Sequence, residues 1–253
     1  MIGFIIPTHS RLDALSRALA SIEGHPVVVV DDSPEGLTLD AKVPRIRTAG
    51  EEGFAAAVNY GLAHWESHGV ERVIVLNDDA AMAPGSVAAL AAAWTSGDGA
   101  LAPVVHEPDG AVYGIDVLWG GRIRVRRAPG DAAALSGAVL MLRSSERFDP
   151  AYRHGFEDIE LCGRLRARGL RVRVVESASA THAAGATVSR RSRAAQRAAL
   201  QGHLRWAETG PKRIYAVALS VAQVAREGGP ADRLLGVVDA VREHLGGKAL
   251  QGG

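Results

Sequence analysis

A single cysteine, Cys162, is all the thiol chemistry in the chain. It excludes an intramolecular disulfide framework, argues against a cysteine-based zinc site, and fits a reducing, cytoplasmic setting. Charge of one sign is also lacking: 29 Lys and Arg face 28 Asp and Glu, a net charge of +1. Without a global positive field, nucleic acid is not the expected partner. Long apolar runs are missing too. Residues 1–10 carry no basic leader, and the most apolar late stretch, residues 214–224, is far short of the roughly 20 residues a membrane span needs. A soluble protein is expected, with association at a membrane surface left open. Aromatic residues make up only 5%, whereas hydrophobic residues reach 47%, mostly Ala, Val and Leu. That composition suits a helix-rich globular fold, and 253 residues suffice for one large α/β domain, alone or with a helical appendage.

What is present is alternation. Residues 2–6 and 27–30 are apolar runs ended by Pro7 and by Asp31-Asp32-Ser33-Pro34, and both read as buried parallel strands. Between them Leu12, Leu15, Leu19 and Ile22 recur at helical spacing, which makes a βαβ unit. The pattern continues with a short strand at 44–47, a helix at 53–64, a strand at 72–76, a helix at 84–94 and a strand at 101–105. Residues 112–127 read as a hairpin at the sheet edge. A strand at 135–142, a helix at 156–168 and a last strand at 171–176 follow. The fold class is α/β, a doubly wound, mostly parallel Rossmann-like sheet flanked by helices. From Arg190 onward the pattern is helical, broken at Gly210-Pro211 and Gly228-Gly229-Pro230. The expected division is therefore a domain over 1–189 and a helical extension over 190–253.

In such sheets ligands bind beyond the carboxyl ends of the strands, so the polar residues after each apolar run carry the chemistry. They are Pro7-Thr8-His9-Ser10, Asp31-Asp32, Asn77-Asp78-Asp79 and Thr181-His182. Asp31 and Asp32 can accept hydrogen bonds from a ribose or base edge, or simply build an Asp-Ser-Pro turn. Asn77, Asp78 and Asp79 offer adjacent oxygen ligands to a hard cation bridging a diphosphate, or cap the following helix. Glu157 and Asp158 open a helix whose dipole favours an ionised carboxylate, one able to take a hydroxyl proton. The competing role for that segment is helix capping, with Glu160 paired to Arg164. His182 can complete a metal shell with its neutral imidazole, although a lone histidine is more often structural. Two arginine clusters, Arg122, Arg124, Arg126 and Arg127 in the hairpin and Arg190, Arg191 and Arg193 beyond His182, suit phosphate or plain solvation. Residues 181–189, rich in Ala, Gly and Thr, read as a lid.

Taken in order, IIPTHSR, VVVVDDS, EGFAAAVNYGL, VLNDDA and GFEDIELCGRLRARGLRV, followed by a strand ending in TH, resemble family 2 glycosyltransferases of the GT-A fold. The likeness is greatest to their rhamnosyltransferase-like and galactofuranosyltransferase-like branch and covers about three quarters of the chain. The resemblance implies nucleotide recognition around Pro7, Thr8 and Asp32, with Asn77 and Asp78 beside the nucleotide. It further implies a divalent cation, Mn2+ or Mg2+, on Asp79 and His182, and a general base at Asp158 beside Glu157. It also implies inversion, with a UDP, dTDP or GDP sugar as donor. The acceptor is open: glycan, lipid-linked glycan, peptide or small molecule. The chain departs from the family pattern where Asn77 stands for the first Asp of the DXD motif, where Glu160 replaces the usual Asp, and where the family's Asn near Gly50 is missing. Two rival readings are a nucleotidyltransferase, for which His9-Ser10-Arg11 is a poor phosphate loop, and a sugar-nucleotide or glycan binder that has lost its chemistry.

Overall fold

Neighbouring residues of the first strand enter different cores. Phe4 and Ile6 pack with Leu15, Ala18, Ile74 and Leu90, whereas Ile5 packs with Val58, Leu62, Val73 and Val75. Both faces of the strand are therefore covered, and its continuous apolar run follows from that. The computed structural model describes residues 1–40, 42–153, 155–183, 193–207, 209–226 and 231–249. In chain order the elements are β1 (Ile2–Thr8), α1 (Leu12–Ser21), β2 (Val27–Asp31), β3 (Arg45–Arg47), α2 (Phe54–Ser67), β4 (Arg72–Leu76), β5 (Ala80–Met82), α3 (Ser86–Ala93) and β6 (Asp98–Glu107). There follow β7 (Gly110–Val112), β8 (Ile115–Val117), a 3-10 turn (Trp119–Gly121), β9 (Ile123–Val125), β10 (Val139–Arg143), α4 (Glu157–Ala167) and β11 (Arg171–His182). Three helices close the chain: α5 (Arg193–Trp206), α6 (Gly210–Arg226) and α7 (Ala231–Ala249).

Among the described residues one sheet runs in the order β3-β2-β1-β4-β10-β6-β11-β5, with β7 added to β6. The half from β3 to β4 is parallel throughout. Beyond it the sheet is mixed. β10 runs antiparallel to both β4 and β6, β11 pairs parallel with β6, and β5 pairs antiparallel with β11. The α/β class stands, but several details correct the sequence reading. The strand expected from residue 135 begins at Val139 and runs antiparallel. The hairpin of residues 112–127 forms its own two-stranded sheet of β8 and β9 instead of extending the edge of the large one. The strand expected to stop at 176 continues to His182 across an irregularity between Val175 and Ser179. His182 is thus the last strand residue, opposite Ala80 of the unforeseen β5, and does not sit in a loop.

The foot of the sheet is held by ion pairs. Asp98 is fully buried, accepts from Arg173 at 3.0 Å and Arg171 at 3.1 Å, and is also bonded by Thr95. Burial works against its charge, but these donors prevail and hold its carboxyl at about 2, below the ordinary 3.8. A depressed carboxylate pKa stabilises the fold above the unfolded value and ceases to do so as pH falls through the folded one. The stability difference between wild type and Asp98→Asn, read by urea unfolding, is accordingly expected at about 2 kcal/mol near neutral pH, less in salt. It should vanish as pH falls toward about 2; a gap independent of pH would contradict the assignment.

The C-terminal helices have a small core of their own, Leu200, Leu204, Ala216, Val237 and Ala240. They also brace the domain. His203 stacks on Phe156 with ring centroids 5.0 Å apart, and its Nε2 donates to the Gly120 carbonyl. Gly202 lies so close to the Gly155 carbonyl that a side chain there would collide with backbone. No helix among the described residues is long and apolar enough to cross a membrane.

Candidate active site

The carboxyl ends of β1, β4 and β11 meet in one polar chain of contacts. Thr8 Oγ1 at the end of β1 donates to Asp78 Oδ2 at 2.8 Å. Asp78 and Asp79 occupy a tight turn from β4 into β5, closed by Ala80 N donating to Asn77 O. That turn leads to a strand, and α3 starts only at Ser86, so Asn77-Asp78-Asp79 does not cap a helix. Arg11 NH1 lies 3.3 Å from Asp78 Oδ1 and 3.2 Å from Asp79 Oδ2. On the other side of Asp79, His182 Nε2 stands 3.2 Å from Oδ1, while His182 Nδ1 stands 3.1 Å from Glu107 Oε1.

Burial and partners split the two adjacent aspartates. Burial pushes the Asp78 carboxyl up despite Thr8 and Arg11. Burial also acts against Asp79, but His182 and Arg11 outweigh it and lower the Asp79 pKa. His182 is raised to about 9: burial opposes its charge, and hydrogen bonds to Asp79 and Glu107 overcome that. Glu107 at Nδ1 orients the ring so that Nε2 faces Asp79. This is the carboxylate–histidine arrangement that presents an imidazole to a metal. Two ligand atoms 3.2 Å apart match the spacing of about 3 Å between adjacent ligands of an ion held at about 2.1 Å from each. Among the described residues no group of three or more His, Cys, Asp or Glu is placed to hold an ion. The residues therefore fit a cation held by two protein ligands and completed by substrate oxygens. Beside Asp79 and His182 opens a cleft of about 330 Å³, bounded by Ala14, Arg17, His106 and Pro108.

Asp32 belongs to a second cluster. It accepts from Thr48 Oγ1 at 2.5 Å and from the amides of Glu52 and Gly53 at 3.0 and 2.8 Å. Gly53 has φ +94°, which an L side chain rarely adopts, and it aims its amide at Asp32 where α2 begins. Asp32 thus ties the loop of residues 48–53 beneath β2. Asp31 is fully buried and engaged by Ser33, Leu37 and Arg47. Pro7 lies within β1 opposite Val30.

Glu157 and Asp158 form a third cluster at the start of α4, just after Phe156, whose φ is +72°. Asp158 Oδ2 accepts from Gly137 N at 3.0 Å and Oδ1 from Ile159 N at 2.8 Å. Glu157 Oε2 is buried with no hydrogen-bond partner. The sequence suggested that the helix dipole would keep both ionised; burial prevails instead. It raises both groups, and with the neighbouring Asp158 charge it carries Glu157 to about 8. The amides on both Asp158 oxygens favour charge there, so the shared proton belongs on Glu157. Glu160 is paired with Arg164 at 2.7 Å.

The structure thus joins Thr8, Asp78, Asp79 and His182 directly, and leaves Asp32 and the Glu157–Asp158 pair on neighbouring elements. Asn77 Oδ1, beside the first group, is buried without a partner. Sequence reasoning missed Arg11, which stood inside a quoted motif, and Glu107 and Thr48, which lie 75 and 16 residues from the groups they bond. Of the arginine clusters, Arg124 and Arg126 both clasp Asp116, and Arg193 clasps Asp239. Arg190, Arg191 and residues 184–189 of the expected lid lie outside the described residues.

A parallel half-sheet joined to a mixed half, with Asp79 and His182 meeting at strand ends and the Glu157–Asp158 pair at the start of α4, makes an α/β protein of the GT-A fold class. Residues 4–119 match the family described as glycosyl transferase family 2. Solved structures agree in fold. GalNAc-T7 with UDP, GalNAc and Mn2+ superposes with a TM-score of 0.58 at 16% identity, covering 72% of this chain and 43% of that one. The Pyrobaculum calidifontis mannosyltransferase PcManGT, in complex with GDP-Man and Mn2+, gives 0.55 at 15%, covering 96% and 80%. S. aureus TarS gives 0.53 at 14%, covering 85% and 41%. The chain therefore spans less than half the length of the GalNAc-T7 and TarS structures. No curated protein matches its sequence.

Proposed function

We propose that the protein is an inverting glycosyltransferase that takes a sugar from a UDP, dTDP or GDP donor and passes it to an acceptor hydroxyl. The observation that carries this reading is the continuous contact from Thr8 through Asp78, Arg11 and Asp79 to His182 and Glu107, in a chain whose residues 4–119 match the family 2 glycosyltransferases. Thr8, Asp32 and the loop that Asp32 ties hold the nucleoside, with Pro7 shaping the strand end. The orphaned Asn77 Oδ1 accepts a donor-substrate hydroxyl, which would supply its missing hydrogen bond. Asp79 and His182 hold the divalent cation, Mn2+ or Mg2+, with Asp78 beside it. When bound, the ion neutralises the leaving nucleoside diphosphate. Arg11 adds its guanidinium to the same charge. Asp158, ionised and braced by two amides, takes the acceptor proton as the hydroxyl attacks the anomeric carbon from the face opposite the leaving group. Neutral Glu157 keeps a second negative charge out of that pocket.

Titrating UDP, dTDP and GDP sugars with and without Mn2+ tests the reading. Saturable, metal-dependent binding with slow donor hydrolysis is expected. No saturable binding of any donor would remove the proposal, and binding without turnover would favour the non-catalytic binder. Donor affinity indifferent to metal would transfer the neutralising role to Arg11.

His182→Ala is expected to cut activity and to narrow the advantage of Mn2+ over Mg2+, because imidazole suits the transition metal better. Activity measured against the concentration of each ion, with Tm as control, checks this. A lowered Tm with an unchanged Mn2+/Mg2+ ratio would make His182 structural only.

A further inference from the structure

Segment 190–253 differs in charge from the rest of the chain. It holds 11 Lys and Arg against 5 Asp and Glu, a net +6, while residues 1–189 are net −5. Its described acids are already engaged: Asp232 and Asp239 pair with Arg193, and Glu243 pairs with Arg197. Lys212, Arg213, Arg226 and Arg242 have no carboxylate partner among the described residues, and Lys212 lies over the Trp206 ring at 5.7 Å, so the excess charge on α6 and α7 is cationic.

The same two helices expose apolar stripes. On α6, Ile214 is 72% exposed and Val221 lies two turns further along the same side; Ala218 and Ala225 share that side, which carries no charged residue. On α7, Leu234, Val238 and Leu245, the last 62% exposed, recur at helical spacing. Val217 lies next to the α6 stripe and Val241 next to the α7 stripe, and both pack on the core shared by the helices. Both stripes therefore border the same small core. At its α6 end Trp119, 67% exposed, packs edge-on against Tyr215, with ring centroids 5.1 Å apart, beside Ile214 and the Lys212-Arg213 pair.

We propose that this α6–α7 face rests on an anionic phospholipid surface, with the apolar stripes entering the headgroup region and these four cations meeting lipid phosphate. Charge selects this occupant. A second copy of the chain would bring +6 against +6, whereas an anionic bilayer complements both the apolar stripe and its basic flank. Trp119 sits where an amphipathic indole is favoured, at the boundary of apolar and polar zones. The reading does not depend on the proposed transfer reaction.

The test is co-sedimentation of the full chain with vesicles of phosphatidylcholine alone and of phosphatidylcholine mixed with phosphatidylglycerol. Binding is expected only to the anionic vesicles, weakening as salt rises, with a blue shift in tryptophan emission. Ile214→Asp with Leu245→Asp, both at exposed positions, should reduce partitioning at least about tenfold without changing Tm. Lys212→Gln with Arg213→Gln and Arg242→Gln should reduce it about fivefold per charge. Failure to bind anionic vesicles, or binding untouched by both sets of substitutions, would overturn the proposal. So would a dimer in sedimentation velocity that Ile214→Asp with Leu245→Asp abolishes.

Discussion

Asp158→Asn is expected to lower the rate of transfer about 10²- to 10⁴-fold, the range a positioned general base contributes, while donor affinity stays nearly unchanged. The two effects separate because Asp158 sits at the start of α4 and bonds Gly137 and Ile159, whereas Thr8, Asp78 and Asp79, proposed to face the donor, lie at the ends of β1 and β4. An amide at 158 still accepts one backbone N–H and opposes the other with its own NH₂, so a modest fall in Tm accompanies the change. Glu157→Gln is the internal control. Burial and the neighbouring charge keep Glu157 protonated at neutral pH, so a neutral amide is its close mimic and activity should fall much less. Equal losses from both substitutions would mean that the dyad acts as one unit. Near-normal turnover by Asp158→Asn would remove it from the chemistry.

Asp79→Ala is expected to weaken metal-dependent donor binding by at least about 10- to 100-fold, the loss typical of groups one shell further from an ion than Asp79 is proposed to be. The substitution removes a carboxylate from between Arg11 and His182. His182 keeps Glu107 as a partner and Arg11 keeps Asp78, so the strand ends should stay folded. Calorimetric titration of donor at several Mn2+ concentrations distinguishes the outcomes. An unchanged metal dependence would refute the assignment of Asp79.

The parallel half of the fold was legible because its strands are buried on both faces and end abruptly in polar residues. Phe4 to Ile6 and Val27 to Val30 can scarcely be anything else, and the residues after them include Thr8, which meets Asp78, and Asp32, which ties the loop of residues 48–53. The mixed half was not legible, for physical reasons. Antiparallel β10 has no local signature, since Val139 to Leu142 is as uniformly apolar as a parallel strand. β5 is three residues long and extended only because β11 bonds it. β11 passes through Glu176 and Ser177, whose polarity suggests an ending, but an irregularity carries the pairing onward to His182. Glu107 could not have been assigned, because its meeting with His182 depends on two strands being adjacent and on nothing local to either. Protonation was misjudged for a related reason. The helix dipole at Glu157 is visible in sequence, whereas the burial that overrides it is a property of the packed whole.

The position of β10 also bears on how the molecule assembles. β10 is inserted between β4 and β6, so Val139–Arg143 must pair with residues made 63 to 71 positions earlier, Arg72–Leu76. On a growing chain β1 to β4, with α1 and α2, are all made before β10 emerges, so β4 can pair with β1 first. Until β10 arrives, the bonding edge of Arg72–Leu76 stands open beside Asn77, Asp78 and Asp79, an apolar strand of the kind that invites pairing with a neighbouring chain. The half that carries Thr8, Asp32 and Asp79 is thus the first to take shape, and the strand that seals it comes after a delay set by topology.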